Sequence, residues 1–351
     1  MILVLGYFGY KTNKLDGQTI KTRDLFSLLN EIADEEVELF DTEEFKYNKL
    51  TLFSLLVKIA RCRTLCYLPA YGNLRILFPI VYCLSILFRV NVHYFVVGGW
   101  LKEFLEHLPL HRRMLSRISG IHVETRKLKR KLEEAYHFEN VDIFPNFRRF
   151  SFEPEKIDVS RESRVSEKEC LRLVFVSRIE QSKGLDTLVD VVDILIAKGF
   201  SDRISVDFYG QKRDGYYDDN LLGYKMFNYK GVLQPEEVIA ALRTYDVLIF
   251  PTHYAGEGCP GILVEALSAG LPIIASDWKY NDEFVENGVN GFLCDVYVAE
   301  AYAEAILTLL KHPAMRNDMS RNSYMKSQDF SIEKSKSLLK GILGLQNLDK
   351  S

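Results

Sequence analysis

Val247-Leu248-Ile249-Phe250-Pro251-Thr252-His253-Tyr254-Ala255-Gly256-Glu257-Gly258-Cys259-Pro260-Gly261-Ile262-Leu263-Val264-Glu265-Ala266 runs from four apolar residues, through a glycine-rich turn, into a segment of helical spacing. A short unbroken apolar run before such a turn reads as a strand covered on both faces, feeding the helix that covers it. Gly258 and Gly261 let backbone approach a ligand closely. Gly261 is expected to open the helix, with amides near Ile262 and Leu263 aimed at a phosphate or sugar oxygen. Glu257 in the turn and Glu265 near the first helical turn are expected to point into one crevice, where carboxylates suit adjacent sugar hydroxyls. Taken singly, Glu265 equally well compensates a helix dipole, and Glu257 equally well fills a turn.

The same rhythm extends in both directions. Upstream in this half lie the expected strands Leu171–Val176, Ile204–Tyr209 and Asn228–Val232, and downstream lies Pro272–Ala275. Helices are expected near Pro235–Arg243 and Gly261–Ala269, and Leu185, Leu188, Val192 and Leu195 mark one helical face. The first half repeats the pattern with strands at Ile2–Leu5, Val37–Phe40, Leu65–Leu68, Val92–Val97, Ile121–Glu124 and Val141–Phe144. Between the halves, Arg148 to Lys168 is polar, mixed in charge and without an apolar period, as linkers are. The expected organisation is a domain over 1–150, a linker over 151–168, a second domain over 169–330, and a last helix over 331–351 that crosses back to the first. Two doubly wound Rossmann-like α/β domains facing a central cleft follow, with ligands outside the C-terminal ends of the strands.

The composition narrows the function classes. A chain of 351 residues exceeds one comfortable core, and a formal net charge of −3 argues against nucleic acid as a partner. Six scattered cysteines form no C-x-x-C pair and read as reduced thiols of a cytoplasmic protein. The N-terminus lacks a basic region and a cleavage site, and so reads as a first strand. Ile76 to Phe88 is apolar but shorter than the roughly 18–20 residues of a bilayer span, and reads as a buried helix. From Thr51 to Lys131 about 14 Lys and Arg stand against about 3 acids, around Leu52, Phe53, Leu55, Leu56 and Val57. That asymmetry predicts peripheral contact with an anionic membrane, against the plainer reading of a solvated helix face.

A second candidate loop follows Leu171–Val176. In Ser177-Arg178-Ile179-Glu180-Gln181-Ser182-Lys183-Gly184, two cations leave a strand end and enter a helix start. Free amides, the helix dipole, an arginine fork and a mobile lysine together suit an anion such as a diphosphate.

From Leu173 to Leu293 the chain resembles the C-terminal domain of the retaining GT-B glycosyltransferases of family 4. The likeness rests on the E-x7-E pair Glu257 and Glu265, on the S-R-I-x-x-x-K-G loop, on Glu265 through Ala275, and on Glu283 through Leu293. The resemblance implies that Arg178 and Lys183 bind the donor diphosphate and that Glu257 holds the donor sugar. It places Glu265 on the ribose, and Gly258, Pro260, Gly261 and Ile262 against sugar or phosphate. Gly231 and Val232 fall where the family lays the base against the main chain. In the first half Gly17 is the best counterpart of a glycine near the sugar, and Pro145-Asn146 matches a P-N pair. Many members carry a histidine after the fourth strand; here Val97-Gly98-Gly99-Trp100 stands there, and the nearby His93 reads as structural.

The expected activity is metal-independent hexosyl transfer, with retention, from a nucleotide-diphosphate sugar to a saccharide, in surface polysaccharide biosynthesis. No D-x-D occurs, so no metal or other cofactor is expected, and the nucleotide sugar is a co-substrate. A polyprenyl-diphosphate-linked acceptor at the inner membrane face suits the basic, apolar first half. A sugar-nucleotide epimerase and a non-catalytic nucleotide-sugar-binding protein share the same plan and are the alternatives.

Overall fold

The computed structural model describes residues 1–12, 16–48, 50–150, 152–153, 170–213, 221 and 223–345. The chain divides into two compact units, one of Met1–Asn146 with Glu333–Ser351, the other Phe147–Ile332. The linker expected over 151–168 lies outside the described residues except for Phe152 and Glu153.

The first unit is a six-stranded parallel sheet of β1 (Ile2–Gly6), β2 (Val37–Asp41), β3 (Thr64–Leu68), β4 (Asn91–Phe95), β5 (Gly120–Val123) and β6 (Val141–Ile143). Its order is β2-β1-β3-β4-β5-β6. The run Ile2-Leu3-Val4-Leu5 is wholly buried, because β1 has a neighbour strand on each side and helices on both faces. Helix α1 (Gly17–Ile32) starts sharply. The Asp16 carboxylate accepts from the Thr19 amide, and the Thr19 hydroxyl accepts from the Asp16 amide, each at 3.0 Å.

Helices α2 (Thr51–Arg61), α3 (Tyr71–Ile76), α4 (Phe78–Phe88), α5 (Leu101–Leu105), α6 (Pro109–Leu115) and α7 (Arg126–Tyr136) make the remaining crossovers. The expectation of a buried helix over Ile76–Phe88 is corrected here. Helix α4 buries Phe78, Val81 and Ser85 against the unit and leaves Ile80, Ile86, Leu87 and Phe88 exposed. An apolar helix packs along only one stripe when nothing covers its outer side.

The second unit repeats the plan with β7 (Leu171–Val176), β8 (Ile204–Tyr209), β9 (Phe227–Tyr229), β10 (Val247–Phe250), β11 (Ile273–Ser276) and β12 (Gly291–Cys294), in the order β12-β11-β10-β7-β8-β9. Strand β9 stops short of the expected Val232, since Gly231 turns to φ +92°, which no strand continues. Strand β12 was not anticipated. Its helices are α8 (Leu185–Ala197), α9 (Val238–Leu242), α10 (Gly261–Ser268), α11 (Ala299–Lys311) and α12 (Pro313–Ser327).

The last helix, α13 (Ile332–Leu343), belongs from Glu333 onward to the first unit. There Lys336 pairs with Glu31 of α1 at 3.0 Å, and Leu339 is fully buried.

Candidate active site

In the second sheet β7 is flanked by β10 on one side and β8 on the other. The chain fills one side through β8 and β9, then crosses to β10 and continues outward to β12. The gap between the loops after β7 and β10 is therefore the topological switch point, where open α/β sheets receive ligands. Both loops singled out in the sequence lie there.

The two loops are locked together. Gly184 adopts φ +81°, and a Cβ there would collide with the carbonyl of Pro251. The His253 amide donates to the Ser182 carbonyl at 3.1 Å. Across this seam the Lys183 ammonium pairs with the Glu257 carboxylate, and each side chain is only 9% exposed. The Thr252 hydroxyl donates to the same Glu257 oxygen at 3.1 Å. Thr252 is held in turn, its carbonyl accepting from the Ser276 hydroxyl at 2.5 Å. A charge-paired lysine and carboxylate out of water keep strong fields in a small space.

Arg178 is more open, with a 40% exposed side chain 3.3 Å from Glu180. Sequence reasoning missed Tyr254, whose ring carries the Lys183 ammonium 4.4 Å and the Arg178 guanidinium 5.5 Å from its centroid. The Trp278 indole fixes that residue by donating to its carbonyl at 2.8 Å. One aromatic face thus gathers the two cations that the sequence placed five residues apart.

Glu265 is the fifth residue of α10, at the end of its first turn, and it is buried. It is held by Arg148, whose Nε lies 2.5 Å from its Oε1. Arg148 was also missed; it read as the beginning of a linker. Its amide donates to the Phe330 carbonyl at 3.2 Å, and its guanidinium lies so close over Gly261 that any Cβ there would collide with it. Pro260 caps α10, Gly258 is buried and Ile262 half-buried. The Leu263 amide is not aimed outward: it donates to the Pro260 carbonyl at 3.1 Å, because the first helical turn tightens on its own cap.

Gly231 and Val232 follow β9, two strands beyond β7 in the same sheet. The Gly210 amide donates to the Gly231 carbonyl at 2.8 Å, and a Cβ on Gly210 would collide with the Ser177 carbonyl. That chain of contacts ties the Gly231 turn to the loop carrying Arg178. Val232 is 58% exposed.

In the first unit Gly17 opens α1, with open space where a Cβ would project. His93 stacks on His122, with Nδ1 and Nε2 3.0 Å apart, and burial depresses the pKa of both imidazoles. It is a core residue, as expected. Beside it lies a buried ion pair the sequence did not suggest, Lys21 with Glu124 at 2.6 Å. Glu124 also accepts from the Gly98 amide at 3.0 Å, in the loop after β4.

The comparisons with known proteins fit this geometry. The family described as Glycosyl transferases group 1 matches residues 156–326. An amylovoran biosynthesis glycosyltransferase of Erwinia amylovora is 28% identical over 178 residues, covering 47% of this chain and 41% of that protein. A capsular polysaccharide biosynthesis glycosyltransferase of Staphylococcus aureus is 25% identical over 150 residues, covering 42% and 39%. The chain thus matches under half the length of these curated relatives. HepE of Anabaena in complex with UDP superposes with a TM-score of 0.74 at 16% identity, covering 98% of this chain and all of that one. Sucrose-phosphate synthase of Thermosynechococcus elongatus does so with 0.72 at 14%, covering 98% of each. Residues 156–326 thus match the family described as Glycosyl transferases group 1, within a chain whose two Rossmann-like units make the GT-B fold.

Proposed function

We propose that the chain transfers a hexosyl group, with retention and without a metal, from a nucleotide-diphosphate sugar to a saccharide acceptor in surface polysaccharide assembly. The observation that carries this reading is the buried Lys183–Glu257 pair, set beside Arg178 on the face of Tyr254 at the switch point. The two cations suit the donor diphosphate, and Glu257 suits hydroxyls of the donor sugar. Glu265 is the candidate for the ribose, with Gly231 and Val232 beside the base.

In the reaction the bond from the anomeric carbon to the diphosphate oxygen breaks, and its electron pair stays with the diphosphate. The acceptor hydroxyl oxygen bonds to the same face of the carbon, and its proton passes to the departing diphosphate oxygen. Arg178 and Lys183 stabilise charge where it grows, which is where preorganised cations lower a barrier most. Lys183 is held by Glu257 in place, so little reorganisation is needed when the donor arrives. The relatives named for amylovoran and capsular polysaccharide biosynthesis support a saccharide acceptor. A polyprenyl-diphosphate-linked one, reached from the cytoplasm, suits the apolar and basic first unit. HepE was crystallised with UDP and with UDP-glucose, which makes uracil the first base to try.

Calorimetry against a panel of nucleoside diphosphates, followed by transfer assays, tests the proposal. Arg178→Ala and Lys183→Ala are each expected to lower turnover by roughly two to three orders of magnitude. Near-normal kinetics in both variants would refute the assignment. Nucleotide released only when acceptor is present separates transfer from epimerisation and from simple binding. The anomeric configuration of the product, read by NMR, tests retention.

A further inference from the structure

From Phe45 to Lys102 the chain holds no aspartate or glutamate. In this stretch α2 packs against α4, and α4 packs against α3 and α6. The outward side of α2 and α4 is apolar: Phe53 is 70% exposed, Ile86 62% and Leu87 70%, with Leu52 and Phe88 also exposed. Arginines surround it. Arg61, Arg75, Arg89, Arg113 and Arg117 are exposed, and none forms an ion pair among the described residues. A cavity of about 300 Å³ opens between the end of α4 and the turn before β5, lined among others by Arg89, Arg117, Asn91 and Ser119. It lies where β4 and β5 begin, at the sheet edge opposite the strand ends that face ligands in such folds.

We propose that this face docks the chain onto an anionic phospholipid surface. The cavity between Arg89 and Arg117 takes a phosphate headgroup, and Ile86, Leu87 and Phe88 enter the boundary of the acyl chains. Firm attachment at an interface takes two signals, apolar burial and charge, and this face supplies both. Charge also decides the occupant. A second copy seated on the same face would bring unpaired arginines against arginines, which is repulsive. No helix among the described residues is long and apolar enough to cross a membrane. The inference does not rest on sugar transfer.

Co-sedimentation of the full chain with phosphatidylcholine vesicles, with and without phosphatidylglycerol, tests it without any saccharide present. The wild type is expected to bind the anionic vesicles, to prefer them over the neutral ones, and to be released by salt. Each surface arginine contributes about fivefold, so R89Q/R117Q should lower partitioning roughly twenty-five-fold. L87S/F88S, with substitutions on an exposed face, should lower it at least about tenfold while circular dichroism stays unchanged. Equal binding to both vesicle types overturns the proposal, as does unaltered partitioning of R89Q/R117Q. A wild type that ignores vesicles overturns it too, and if it is then a dimer that L87S/F88S dissociates, the face is a self-interface.

Discussion

Arg148 and Glu265 meet although 117 positions separate them, and each is nearly withdrawn from water. Removing one partner of such a pair strands a charge, so Arg148→Ala should cost about 1–3 kcal/mol of stability, with Arg148→Ala/Glu265→Ala recovering part of the loss. A denaturant double-mutant cycle reads that coupling directly, and additive losses would show that the pair does not act as one. Lys21 and Glu124 are more deeply buried and stand 103 positions apart. Lys21→Met should cost about 3–5 kcal/mol, with a lower urea midpoint and little change in nucleotide binding. Neither pair could be foreseen from sequence, because a charged residue carries no local signal of its distant partner. Tyr254 was invisible for a related reason: its use comes from two cations on another loop. Arg178, Lys183 and Glu257 were legible because glycines and a strand end announce their loops.

Strands differed in how plainly they could be read. Ile2–Gly6, Leu171–Val176, Ile204–Tyr209 and Val247–Phe250 match their apolar runs to within a residue, as central parallel strands must be apolar on both faces. Gly291–Cys294 escaped notice because it is short and begins with glycine. That glycine is structural, since a Cβ on it would collide with the Ile273 backbone of the neighbouring strand. The Asn290 side chain completes the turn, accepting from the Glu286 amide at 2.7 Å and donating to the Phe284 carbonyl at 2.9 Å. Much of the motif from Glu283 to Leu293 therefore builds β12.

Adjacent strands β4 and β5 carry a pH dependence of their own. The folded state depresses both His93 and His122, chiefly by burial, so the unfolded chain binds more protons below the ordinary imidazole value. Stability should be full above about 6.5 and fall as the pH drops from there toward about 4, where His93 itself titrates. Urea unfolding across that range should show the slope, and His93→Gln should flatten it.

At the scale of the molecule, α13 follows the second unit in sequence, yet its residues from Glu333 onward belong to the first. Leu339 is fully buried there, so Leu339→Ala should destabilise the first unit by about 2–5 kcal/mol. Two units with separate cores need not unfold as one, and calorimetry should show the shift in one transition while the nucleotide binding proposed for the second unit persists. Length announced two domains and the rhythm of apolar runs announced their sheets, and a last helix crossing back to the first domain was already an expectation from the sequence.

The seam between Gly184 and Pro251 has a practical consequence. Because backbone there is in van der Waals contact and Lys183 is tied to Glu257 across it, neither loop can be remodelled alone. If the proposed transfer holds, anyone seeking a new sugar preference by engineering one side should expect the affinity for bare nucleotide to drift as well, so both loops are best redesigned together.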